Sequence, residues 1–145
     1  MASASSPEPR NGEPLIVCAG IAVIDHIFQV GRFPQEGVKS RAASFTSVGG
    51  GCAANAAVAA RRLGGRVRFA APLGGPAGTD LAGDAIIARL EKEGISCGGV
   101  LRMPGCSSPV WAILVDAGGE RTIVNYRDDA LSALRLSVNI TAADI

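Results

Sequence analysis

Several kinds of residue are scarce in this chain, and each scarcity narrows its possible functions. Aromatic residues make up 4% of the sequence. The formal net charge is +1, so there is no electrostatic case for binding nucleic acid or a membrane surface. The four cysteines form no C-x-x-C pair, and His26 is the only histidine, so no metal site is predicted. Cys18 and Cys52 lie in apolar surroundings and are predicted to be buried thiols in a reducing, cytoplasmic compartment.

Long hydrophobic runs are also absent from the sequence. The longest, residues 15–24, is too short to span a bilayer and contains two small residues, so no membrane segment is predicted. Residues 1–13, MASASSPEPRNGE, lack the apolar centre of a signal peptide. We expect them to form a disordered tail, with one folded unit over residues 14–145.

The remaining residues are apolar and rich in glycine. The chain is 48% hydrophobic, with a mean hydropathy of +0.28 and 19 glycines that cluster at segment ends. The patterns predict buried strands over residues 14–20 and 67–71, with residues 21–25 continuing the first, and a third short strand over 99–103. They predict helices over 53–63 and about 80–93. Residues 39–48 and a hairpin over 110–126 have polar faces and predict a separate small sheet. The order favours an α/β fold, with helices covering a mostly parallel sheet.

The most informative segment is the run of glycines before the first helix. Gly49, Gly50 and Gly51 lead directly into an alanine-rich helix, predicted to be buried on most sides, whose first turns carry one polar residue, Asn55. Glycine lets the backbone approach a ligand closely, and the start of a helix presents unpaired N–H groups. This segment suits the binding of a small polar molecule, although a tight turn for helix packing would also explain the glycines.

These features resemble the N-terminal part of a ribokinase-like (PfkB) carbohydrate kinase over roughly residues 15–130. The residues that carry the resemblance are Gly20, Asp25, Gly49, Gly50, Gly51, Ala54, Asn55, Ala57, Leu63, Gly64, Gly74, Gly78, Leu90, Gly94, Gly119, Glu120 and Arg121. The resemblance implies a three-layer α/β sandwich with a small β-sheet lid over the sugar, formed by residues 39–48 and 110–126. It implies that Asp25 and Asn55 bind sugar hydroxyls and that the backbone at Gly50 and Gly51 lies against the sugar.

A narrower resemblance is to the sulfofructose kinase subgroup, which implies that Lys39 and Asn125 contact an anionic group of the substrate. A cation and an amide donor suit an anion. Asn55 is the residue found in the wider family, whereas that subgroup can have threonine at this position. The identity of the sugar is therefore left open. Without the resemblance, Lys39 could be a solvated charge, Asn125 a surface amide and Asp25 a turn cap.

Two departures from the family pattern stand out. Gly75 and Pro76 follow Gly74, where many relatives have acidic residues, and the catalytic Gly-Ala-Gly-Asp segment is absent from all 145 residues. The resemblance implies that this segment supplies the base and most of the site for ATP and Mg²⁺. We therefore expect the sequence to be part of a longer protein, with the base beyond Ile145, and the 145 residues alone to be inactive.

The sequence leaves three functions open. The first is an ATP-dependent kinase of a small sugar or sugar acid, and the second is a truncated, non-catalytic module that binds a sugar or a partner. The third is a nucleoside kinase of the same fold, against which the few aromatic residues argue mildly. A homodimer formed through exposed edges of the lid is a further expectation.

Overall fold

A computed structural model describes residues 14–136, which fold into layers of strands and helices. The predicted tail over residues 1–13 lies outside the described residues. The elements in chain order are β1 (Leu15–Ala19), β2 (Val23–Gln29), β3 (Ser44–Gly50), α1 (Cys52–Arg62), β4 (Arg66–Ala70), β5 (Pro72–Gly74), α2 (Leu81–Lys92), β6 (Leu101–Met103), β7 (Val110–Val115), β8 (Arg121–Tyr126) and α3 (Asp129–Ala133). No helix in the described part of the chain is long and apolar enough to cross a membrane.

The central layer consists of short parallel strands. β1 pairs with β4 and β5 pairs with β6, both in parallel, and backbone bonds from Phe69 N–H to Ser96 and from Leu101 N–H to Ala71 tie neighbouring segments together. Phe69 and Leu73 are fully buried in the core. The prediction of a fully buried first strand is wrong, because β1 has β4 as its one strand partner among residues 14–136 and Ile16 is 41% exposed.

A second, four-stranded sheet has the order β3-β2-β7-β8, and we call it the lid sheet. β2 runs antiparallel to β3 and parallel to β7, and β7 and β8 form the predicted hairpin with the predicted bounds. Residues 21–25 do not continue the first strand, since β2 begins at Val23 and belongs to the lid sheet. The strand predicted over 39–48 begins instead at Ser44, after an exposed segment that includes Pro34 and Gly37.

Helix α1 is buried along one face and not on most sides as predicted. Ala54, Ala57 and Arg61 are buried, whereas Asn55, Ala56 and Ala59 are exposed. Alanine side chains carry little apolar area, so an alanine-rich helix does not reveal which of its faces is covered. Cys52, predicted to be a buried thiol, is also exposed and is the first residue of the helix.

Helix α2 begins with a side-chain cap and ends against α1. Asp80 Oδ2 accepts a hydrogen bond from Gly83 N–H (3.1 Å), as expected for a cap at the predicted position. At the other end, Arg62 on α1 holds the Glu93 carboxylate through both of its oxygens at 2.9 and 2.6 Å. The two helices therefore end side by side, which defines a groove between them.

Candidate functional site

One row of residues crosses the lid sheet and includes two of the predicted site residues. Asp25 on β2 is paired with Val48 on one side and with Trp111 on the other, and Trp111 is paired with Asn125 on β8. Directly paired residues point to the same face of a sheet, and strands are about 4.8 Å apart. Asp25 and Asn125 thus share one face of the lid sheet at about 10 Å, with Trp111 between them.

The Asp25 carboxylate lies at the junction between the lid sheet and the glycine segment. A side chain at Gly50 would overlap the carboxylate, so Gly50 leaves the space that Asp25 occupies. Asp25 is half-buried, and its Oδ1 is buried without a hydrogen-bond donor among residues 14–136. Burial raises the pKa of Asp25, and the neighbouring His26 opposes this rise. A carboxylate oxygen removed from water without a donor is unusual and marks a place where a polar ligand can bind.

His26 does not form a dyad with Asp25, in line with the alternation of side chains along a strand. Its ring stacks on Phe45 of β3 with ring centroids 5.7 Å apart, on the opposite face of the lid sheet. His26 therefore packs on an aromatic neighbour, and its influence on Asp25 is electrostatic.

Gly51 is required to be glycine for a different reason from Gly50, namely its backbone conformation and its close approach to another segment. Its φ is +96°, and a Cβ there would lie 2.6 Å from the Ile21 carbonyl oxygen. The same oxygen accepts hydrogen bonds from Ala53 and Ala54 N–H, at 3.2 and 3.4 Å. The expectation that the start of α1 presents its N–H groups to a ligand is therefore wrong for these two amides, because the backbone before β2 already binds them.

Asn55 lies in the first turns of α1, where it lines a cavity of about 420 Å³ between α1 and α2. Gly49 and Gly50 also line this cavity, whereas Asp25 does not. Gly50 is thus the link between the Asp25 carboxylate and the cavity that Asn55 faces. The four residues Asp25, Gly50, Gly51 and Asn55 are gathered at the end of β3, but Asp25 and Asn55 face different spaces.

Lys39 is not part of the row across the lid sheet. It lies in the exposed segment between β2 and β3, five residues before the strand that was predicted to contain it. Asn125 is exposed on β8. The structure therefore places Asn125 on the face of Asp25 and leaves Lys39 outside the sheet.

Residues 14–136 contain no cluster of side chains built for a metal ion, and two amides at the start of α1 are not free for a phosphate. No three His, Cys, Asp or Glu side chains in this range lie close enough to hold a metal ion. The Ile21 carbonyl, as described above, occupies two of the amides at the start of α1 that a phosphate would use. We therefore derive no step through the nucleotide from these residues.

Two site features were missed by reasoning from the sequence. Trp111, which the sequence does not single out, stands between Asp25 and Asn125 in the lid sheet. The pairing of β2 with β7 that puts it there is a contact between distant segments, which no local pattern reveals. Arg89 of α2 was not singled out at all, although its Nη2 donates to the Ser47 carbonyl of β3 (3.1 Å). An arginine on a helix gives no local signal of such a contact.

The chain is similar to known proteins in both sequence and fold. The sequence pattern described as "pfkB family carbohydrate kinase" matches residues 13–143. The chain belongs to the pfkB family of carbohydrate kinases. The implied ribokinase-like α/β fold with its lid is therefore confirmed.

Individual relatives agree with this family assignment. The chain is 32% identical over 124 residues to a fructokinase from Zea mays, covering 85% of this chain and 36% of the relative. It is 33% identical over 109 residues to a deoxyribokinase from Salmonella typhi, covering 75% and 34%. The crystal structure of a fructokinase with bound ATP from Xylella fastidiosa matches with a TM-score of 0.61 and 30% identity, covering 79% of this chain and 33% of that one. The chain thus spans about a third of the length of the relatives it matches.

Proposed function

We propose that this chain is the sugar-binding part of an ATP-dependent kinase that phosphorylates a hydroxyl of a small sugar or sugar acid. Membership of the pfkB family and the fructokinase and deoxyribokinase relatives support the reaction class. The observation that carries the proposal is the Asp25 carboxylate, which is half-buried against Gly50 and has one oxygen without a donor among residues 14–136. A sugar hydroxyl is the kind of donor that would complete it.

In this proposal the residues of the chain position the substrate and do not transfer the phosphoryl group. Asp25 accepts hydrogen bonds from sugar hydroxyls, and the backbone at Gly50 and Gly51 lies beside the sugar. Asn55 binds a further hydroxyl from the cavity side, provided that the sugar reaches past Gly50. Holding a hydroxyl in line for attack is a large part of catalysis in phosphoryl transfer.

An acidic group on the sugar is a narrower proposal that rests on Asn125 and Lys39. Asn125 shares the face of Asp25 and has an amide that can donate to an anion. Lys39 is exposed and would have to approach by movement of the segment before β3. Asn125 is therefore the better supported of the two anion contacts.

The phosphoryl donor is proposed to be ATP with Mg²⁺, bound by residues beyond Ile145 together with the catalytic base. The structure of the Xylella relative with bound ATP supports the choice of donor. A cytoplasmic location and a homodimer formed through the lid sheet remain expectations. Exposed apolar side chains on β8, Ile123, Val124 and Tyr126, would suit such a contact.

Activity of the natural full-length protein tests the proposal. ADP formation is measured with fructose, ribose, deoxyribose and adenosine, for the wild type and for Asp25→Asn. We expect ADP formation with at least one sugar, and a loss of about tenfold to a hundredfold in kcat/KM in Asp25→Asn, because a hydroxyl loses a charged acceptor. Asp129→Asn, an exposed carboxylate in α3, is the matched control and keeps wild-type activity.

Each other outcome assigns a different function. Turnover of adenosine and of no sugar would indicate the nucleoside kinase. Sugar binding without ADP formation would indicate a non-catalytic module. Full sugar turnover in Asp25→Asn would show that the site lies elsewhere.

A further inference from the structure

The groove between α1 and α2 contains a cavity with a cationic end that the sugar-binding proposal does not use. Its volume of about 420 Å³ is within the range of small-molecule sites. It extends from Gly49 and Gly50 at the end of β3 along both helices to the ion pair of Arg62 and Glu93. Asp25 does not line it, so most of this space lies away from the row across the lid sheet.

The charges around this cavity are unbalanced. Arg62, Arg89 and Lys92 line it, and Glu93 is the one carboxylate in its lining. Arg62 holds Glu93 through both oxygens and keeps the pKa of Glu93 below its ordinary value, so that this pair neutralises itself. Lys92 also lowers the pKa of Glu93, so this one carboxylate serves two cations, and Arg89 remains without a carboxylate among the described lining residues.

The environment of Arg89 adds to this imbalance. Its Nη2 donates to the Ser47 carbonyl, and its Nη1 is buried with no hydrogen-bond partner among residues 14–136. Burying part of a guanidinium without an anion is costly, and a bound anion would offset that cost. A planar guanidinium also suits a phosphate or carboxylate group better than an ammonium does.

Apart from Asn55 and the two glycines, the rest of the described lining is apolar. Val58 of α1 and Ile86 and Leu90 of α2 form the wall beside the cations. A cavity with an apolar wall and a cationic end favours a small organic anion over a bare inorganic ion, because the wall contributes only if carbon atoms lie against it.

From these observations we propose that the cavity between α1 and α2 binds a small organic anion, a phosphorylated or carboxylated metabolite, through Arg89 and Lys92. Arg89 and Lys92 have no role in the proposed sugar contacts, although Gly50 and Asn55 line the same cavity. Arg89 also donates a hydrogen bond to the carbonyl of Ser47, two residues before Gly49. Binding of an anion at Arg89 would therefore affect β3, the lid strand that leads into the proposed sugar-binding glycines. In this proposal the bound anion is an effector of the sugar site.

Direct binding to the natural full-length protein tests this proposal with sugar and ATP absent. Phosphoenolpyruvate is the probe, with inorganic phosphate for comparison, and the dissociation constants are measured by calorimetry. We expect saturable binding of phosphoenolpyruvate in the millimolar range or tighter, and weaker binding of phosphate. Arg89→Met, which keeps the aliphatic packing, and Lys92→Met, at an exposed position, each raise the dissociation constant about tenfold.

Two controls separate this site from the others. Arg32→Met removes an exposed cation outside the cavity and leaves binding unchanged. Asp25→Asn also leaves phosphoenolpyruvate binding unchanged, so loss of the sugar kinase activity and loss of the anion site are distinguishable. No saturable binding in the wild type, or equal binding in wild type and Lys92→Met, would overturn the proposal, as would phosphate binding as tightly as phosphoenolpyruvate.

Discussion

At the scale of single residues, two adjacent glycines are required for different reasons. Gly50 leaves room for the Asp25 carboxylate, whereas Gly51 adopts a positive φ and touches the backbone at Ile21 and Ala22. The sequence pattern indicates closeness to a ligand at both positions. In the structure, each glycine also has a neighbour within the protein, so the run of glycines joins β2, β3 and α1 as well as forming part of the proposed site.

Gly51→Ala tests this reason for the second glycine. We expect the substitution to lower the free energy of unfolding by more than the ~1–3 kcal/mol cost of a positive φ alone, because a Cβ would also meet the Ile21 carbonyl. Gly37→Ala is the matched control, since Gly37 also has a positive φ and a Cβ there would meet no atom within 4 Å. Denaturant unfolding of both variants measures the difference, and equal losses would show that the close approach at Gly51 carries no cost.

Residues of the candidate site differ in how far the sequence revealed them. Gly50 and Asn55 stand out locally, the first in a run of glycines and the second as a polar residue in an apolar helix. The placement of Lys39 in a lid strand failed because the segment before Ser44 is exposed and irregular, and loose alternation there does not determine a strand. Arg89 could not be identified, because its contact with Ser47 joins residues 42 positions apart.

At the scale of elements, the start of α2 is tied to a distant loop by one carboxylate. Asp80 Oδ2 accepts from Gly83 N–H within the helix and from Ser108 N–H just before β7, both at 3.1 Å. The Ser108 hydroxyl in turn accepts a hydrogen bond from Gly74 N–H at 2.9 Å. The cap of α2 therefore also fixes the end of β5 and the entry to the lid hairpin.

We expect Asp80→Ala to lower the free energy of unfolding by about 1–3 kcal/mol, because it removes a cap and leaves a buried N–H without a partner. Asp80→Asn keeps an acceptor at the same place and should lose clearly less. Urea unfolding monitored by circular dichroism measures both. A loss confined to the few tenths of a kcal/mol typical of a surface change would contradict the role of Asp80 as a joint between elements.

The local sequence pattern predicted whether a segment is a helix or a strand more reliably than it predicted which strands pair with one another. Local sequence patterns predicted both α2 and the hairpin of β7 and β8. The transfer of β2 into the lid sheet was not predicted, because residues 21–24 are as apolar as a core strand. Its pairing with β7 depends on contacts between segments more than 80 residues apart.

At the scale of the whole molecule, the described residues form a core layer and a lid sheet that meet at Asp25 and the glycine segment. Ile24 belongs to the buried core, whereas Asp25 beside it takes part in the row across the lid. The chain spans about a third of the length of its relatives, and it holds the residues proposed to bind the sugar without those proposed to bind the nucleotide. The proposed function therefore depends on what the Asp25 carboxylate binds.

A crystal structure of the natural full-length protein, with the sugar that it phosphorylates, tests this central claim most directly. The account predicts a sugar hydroxyl within hydrogen-bond distance of the Asp25 carboxylate, beside Gly50 and on the face of the lid sheet that carries Trp111 and Asn125. A sugar bound with the Asp25 carboxylate out of reach of all its hydroxyls would contradict the account.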